Sequence, residues 1–264
     1  EDFVMLRPEW ELRQLTDRYW EARLEASPLF ATYLGDHRFD DRVDDLSEAG
    51  AAAWRATILA FAADAERRPN DDLDETDCVT RRLLIGEIDD AVRSIDLRLA
   101  ELASDQMQGI HADLLTIAGQ LSAPEPAHAA AAVVRVERLG TVLDQAADRF
   151  RAGLAAGRTP ARLFLERSLN QLDGYLASPI DADPFTRLAG PAEWDGEDAW
   201  REELGAAVTD HLRRAFARYR SVLAEELLPV ARPDEQPGLC WLADGPALYE
   251  ALIGLHTGLD LTAD

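Results

Sequence analysis

Lysine is missing from this 264-residue chain, and all 27 basic residues are Arg. That absence removes P-loop phosphate chemistry, Schiff-base catalysis and Ser–Lys dyads together. Cysteine is nearly as scarce. Cys78 and Cys240 stand alone and far apart, which rules out a disulfide framework or a zinc knuckle. Both read as small core residues. No apolar run approaches the roughly 18–20 residues that span a bilayer. No basic, apolar leader opens the chain. There is no Gly-rich phosphate fingerprint, no Gly-x-Ser-x-Gly elbow and no internal repeat. Strand-type alternation is nearly absent.

What the chain has in excess is acid. Its 50 Asp and Glu residues give a net charge of −23. Such a surface repels phosphate backbones and anionic lipid, so nucleic-acid and membrane partners are set aside. Solubility accounts for the charge, and a basic peptide would be drawn in by it. A cytoplasmic location is expected. Export stays open because the sequence starts at Glu1 rather than Met.

Helical periodicity fills the chain. Leu12, Leu15, Tyr19, Ala22 and Ala26 form one stripe of a first helix, and Ser27-Pro28 starts a short turn that Gly35 closes. A helix over 47–67 turns Trp54, Ile58, Phe61 and Ala65 inward. A long helix is expected over 75–102, carrying Ile88, Val92, Ile95, Leu99 and Leu102 at helix-seam spacing. A short helix near His111 follows. The run that Pro124-Glu-Pro126 starts, reaching Ala156, is expected to bend at Gly140, with Gly157 as a left-handed cap. Thr159-Pro160 opens the next helix and Ser178-Pro179 ends it. A second long helix covers 197–228. Asp244-Gly245-Pro246 starts the last helix, Gly258 stops it, and Thr262 is placed to cap another. The expectation is an all-α fold, a bundle of roughly eight to ten helices with two of them long. Residues 1–264 form one domain with a sub-boundary near 179–196.

Chemistry is harder to find. Zinc hydrolysis needs two His at i and i+4 with a Glu as base. His37, His111, His128, His211 and His256 offer no such pair, so no metal ligand is assigned. His111 and Asp113 diverge on a helix, and His111 reads as a capping or surface residue. Asp40, Asp41, Asp44 and Asp45 lack the spacing of a calcium loop and read as a solvated acidic loop. Trp194, Trp200 and Trp241 could flank a small-ligand pocket.

The last stretch carries a resemblance. Gly238-x-x-x-Leu-x-Asp-Gly245, then Tyr249, His256-Thr257 and Asp260-Leu-Thr262, resembles the middle of the bacterial proteins grouped as domain of unknown function 885. The Ser-Pro to Asp-rich block at 27–47, Gly-Arg-Thr-Pro at 157–160, Pro184-Phe185 and the segment 225–232 agree with it. Leu248 stands where the family often has a further aromatic, and Gly258 where it usually has a second Thr. The resemblance covers nearly the whole chain but only the N-terminal half of the family's usual length. Family members resemble zinc peptidases through a His-Glu-Ala-x-Pro-Gly-His-His motif in their C-terminal half, which is absent here.

The resemblance implies the scaffold and substrate-groove half of a zinc-dependent hydrolase. Zinc would be held by the C-terminal half, with that half and a peptide substrate as partners and this chain inactive alone. Tyr249 and His256 become candidate catalytic residues, or else packing residues of the last helix. Asn170, Asp183 and Phe185 become candidate groove residues. The alternative is a stand-alone helical binding or scaffold module without catalysis.

Overall fold

The structure, a computed structural model, describes residues 8–69, 71, 73–259 and 261–262. Its α-helices are α1 (Pro8–Ala26), α2 (Pro28–Tyr33), α3 (Glu48–Glu66), α4 (Glu75–Asp96), α5 (Ile110–Ala118), α6 (Pro126–Ala155), α7 (Arg162–Ala177), α8 (Glu197–Ala207), α9 (Arg213–Ser221) and α10 (Gly245–Thr257). No sheet forms among the described residues. Two isolated parallel bridges, Ser122 with Ala189 and Ala161 with Arg232, tie loops together. The fold is all-α, as the periodicity predicts.

One rod spans 197–230. A π turn (Val208–Leu212) joins α8 to α9, and a second (Val222–Leu227) leads into a short 3-10 turn (Leu228–Val230). The whole predicted stripe from Trp200 through Phe216 to Leu227 is buried. Its members recur mostly at every fourth residue, wider than the roughly 3.6 of an α-helical turn. A straight α-helix would carry them off the core. Each π turn absorbs an extra residue and returns the stripe to it.

The longest single α-helix is α6, at 30 residues, and α4 is shorter, at 22. Gly140 does not divide α6. A Cβ there would stand 3.0 Å from the Ala215 Cβ, so the glycine lets α9 close against α6. The helix expected over 75–102 stops at Asp96, because Arg98 turns left-handed at φ 55° before a 3-10 turn at Leu99–Glu101.

Two cores result. Leu12, Leu15, Tyr19, Ile58, Ala62, Ala65, Leu84 and Ile88 pack α1, α3 and α4 together. The larger core gathers α5 through α9 around α6. Phe185 and Leu188 are buried in that larger core and anchor the 179–196 segment to it. Ser47 caps α3 by accepting from Gly50 N at 3.0 Å, and Asp74 caps α4 by accepting from Asp77 N at 2.8 Å. Cys240 is exposed on a surface 3-10 turn, contrary to the core reading, and Cys78 is half-buried. Thr262 is exposed, and the helix it was expected to cap falls outside the described residues.

Candidate functional site

Three of the family-like segments meet at one groove. Pro160 from 157–160, Arg232 from 225–232 and Gly238, Leu239, Leu252 and His256 from the last stretch line a cavity of about 620 Å³. Arginines fasten the segments together. Arg158 donates to Asp244 Oδ2 at 2.9 and 2.5 Å and to the Leu97 carbonyl at 2.8 Å. Arg232 donates to the Thr159 carbonyl at 2.9 Å and also to that of Gly238. Burial pushes the Arg232 pKa down. Gly245 is required where α10 starts, since a Cβ there would collide with the Leu239 carbonyl. Asp244 caps no N–H of α10; its carboxylate is spent on Arg158.

The five candidate residues separate. His256 sits at the exposed lip of the groove. Tyr249, two turns earlier on α10, is 52% exposed and outside the groove lining. Neither is a packed core residue. Asn170 is exposed on α7 and does not line the groove. Asp183 and Phe185 do not face the groove, because both are interior. Asp183 is fully buried and accepts from Arg213 Nε and from Phe185 N, each at 3.0 Å. It pins the 179–196 segment to α9. Trp194 and Trp200 pack at 6.3 Å while Trp241 is exposed, and none of the three lines the groove.

A feature that the spacing concealed is the trio His37, Asp40 and His128. Their ligand atoms lie within 4.8 Å of one another, which is the only such metal-capable group among the described residues. The two imidazoles stack at 4.3 Å. Two His and one carboxylate are a known ligand set for zinc or iron. Here the carboxylate is already occupied. Asp40 accepts from Thr32 Oγ1 at 2.5 Å and meets His37 Nδ1 at 2.8 Å. Arg135 Nη2 lies 3.5 Å away. Arg135 also donates to the Phe39 and Arg42 carbonyls at 2.7 and 2.9 Å and to Thr32 Oγ1 at 2.8 Å. A fixed guanidinium beside the carboxylate disfavours a second cation. The trio fits a latch between α6 and the 27–47 block better than a metal centre. The solvated-loop reading fails for Asp40, which is 3% exposed. Burial raises the Asp44 pKa, opposed by its bond from Leu29 N and by Arg135.

His111 is also inside rather than on the surface. Gly109 makes room for its ring, since a Cβ there would stand 2.5 Å from His111 Cε1. Nε2 meets Gln171 Oε1 at 3.1 Å, and Nδ1 is buried without a partner. Burial holds the imidazole pKa below 6.5. The groove itself offers one imidazole and the Asp105 carboxylate, too few donors for a zinc site.

These features define an all-helical protein with two cores and a groove closed by arginine ties. The chain belongs to the family described as "Bacterial protein of unknown function (DUF885)", whose model matches residues 28–264. No curated protein matches it. Among solved structures it is similar to the crystal structure of "the putative lipoprotein from Colwellia psychrerythraea", with a TM-score of 0.82 and 15% identity. The match covers 98% of this chain and 47% of that one, so this chain spans about half the length of the solved relative. At that identity the likeness speaks for the fold. No helix among the described residues is long and apolar enough to cross a membrane.

Proposed function

We propose that this chain is the scaffold and substrate-groove wall of a zinc-dependent, peptidase-like hydrolase, with the metal and the general base supplied from outside the described residues. The observation that supports this reading is the convergence of three separated family-like segments on one cavity of about 620 Å³. Ligand pockets run from roughly 300 to 1,000 Å³. Leu252 and Leu255 give the groove an apolar wall, and His256 stands at its open edge. An imidazole there can donate to a substrate carbonyl or take up a proton. Tyr249 lies on the same helix, free to meet a substrate or a further part of the protein. The strongly acidic surface favours a basic peptide over an acidic one.

The test compares this chain with the protein encoded through any downstream coding sequence, on a mixed peptide library with and without chelator. The chain alone leaves the peptides intact, while the longer product cleaves them in a zinc-dependent way. In that product His256→Ala lowers kcat/KM by about 10²-fold. Chelator-sensitive cleavage by this chain alone, or an inert longer product, overturns the reading.

A further inference from the structure

We propose that the cleft between the two cores binds a small apolar carboxylate anchored on Arg149. The cleft is a second cavity of about 630 Å³, walled by the end of α1, the 44–46 loop, α3 and the α4 corner, with Arg149 of α6 lining it. Arg149 is 7% exposed. Among the described residues it takes part in no ion pair or hydrogen bond, and its Nε is buried without a partner. A buried charge is stable only when something opposite meets it. Arg135, on the same helix, shows how this chain meets that need elsewhere, with backbone carbonyls, Thr32 and Asp40 closed around it. At Arg149 the described residues supply no acceptor, and the cleft lies before it.

The lining narrows the occupant. Trp54, Leu46, Ile95 and Leu99 make the wall largely apolar, which suits a hydrocarbon body. The charged groups facing the cleft besides Arg149 are Glu25, Asp44, Asp45 and Arg98. Each is engaged elsewhere. Glu25 accepts from Arg42 at 3.0 Å, Asp44 from Leu29 N at 3.3 Å, and Asp45 from Ser47 N and Gln145 Nε2 at 3.0 and 2.8 Å. Arg98 donates to Glu101 at 2.6 Å. A single unmatched guanidinium among three carboxylates favours a monoanion over a dianionic phosphate. The planar fork of Arg matches a carboxylate in a two-bond geometry.

The probe is sodium octanoate, titrated calorimetrically into the purified chain alongside octylamine and octyl phosphate. Octanoate binds saturably at one site, and the other two do not. Arg149→Met weakens octanoate binding at least tenfold. Ala51→Phe, which fills the cleft and leaves Arg149 in place, does the same, and it decides the matter should Arg149→Met fail to fold. Octanoate binding unchanged in a folded variant overturns the proposal. So does the absence of saturable binding by the unmodified chain, or equal binding of octylamine or octyl phosphate. The experiment alters no residue of the groove, so its failure leaves the hydrolase reading standing.

Discussion

Arg135 and Arg149 leave the same helix about four turns apart, and both are buried. Around Arg135 the 27–47 block folds back and closes every direction with an acceptor. Around Arg149 the neighbouring elements stop short and leave a cleft. The difference shows that burial of a charge is no sign of its role. The satisfied arginine holds two parts of the fold together. The unsatisfied one carries a stability cost that something outside the chain can remove.

The comparison breaks most sharply at the latch. Arg135→Met leaves Asp40 as a buried carboxylate without its cation, and about 3–5 kcal/mol of stability is lost. Urea denaturation reads this as a lower midpoint at unchanged slope. The same substitution at the other site goes the opposite way. Arg149→Met is neutral or stabilises the ligand-free chain by up to about 2 kcal/mol. A loss of more than about 1 kcal/mol there would mean that Arg149 has a partner in the folded chain, and the contrast would disappear.

His111 sharpens the comparison by pH, because it is a buried group that avoids charge instead of pairing it. Its folded pKa is depressed by burial from 6.5. The unfolded chain therefore takes up a proton at a pH where the folded chain does not. The stability is fully present above pH 6.5 and is lost as pH falls toward the depressed folded value, at up to about 1.4 kcal/mol per pH unit. His111→Gln flattens this fall between about pH 7 and 5, and parallel curves for the two proteins would acquit the histidine. Asp44 acts in the other direction and lower down. Burial raises its pKa, so its protonation favours the fold as pH drops through the carboxylate range. The smallest effect is expected from zinc. One equivalent leaves the melting temperature unchanged within about 1 °C, because the latch already occupies Asp40; a clear rise would make the trio a metal centre.

Much of the architecture was legible because it is local. The stripe from Trp200 to Leu227 and the left-handed caps at Gly35, Gly157 and Gly258 follow from neighbours in sequence. What was hidden depends on distant partners. Asp40 reads as one acid among several until Arg135, 95 residues away, is placed beside it. His111 reads as a surface residue until Gln171 is seen. Gly140 reads as a bend until Ala215 is brought against it. The end of α4 was concealed for another reason. Leu99 and Leu102 continue the helical spacing past Asp96, and nothing in that pattern marks the left-handed turn at Arg98, which is not a glycine. At the groove, the segments could be picked out in the sequence, but not their convergence, which rests on Arg158 and Arg232.

That turn at Arg98 has a further consequence. Ser94 and Leu99, on either side of it, line both the groove and the Arg149 cleft. The two cavities therefore share a partition at Ser94 and Leu99. A molecule that displaces this partition from one side alters the room available on the other. Linkage then requires that each occupant change the affinity for the other by the same factor. With both cavities occupied, the corner that ends α4 early is where such a coupling would have to pass.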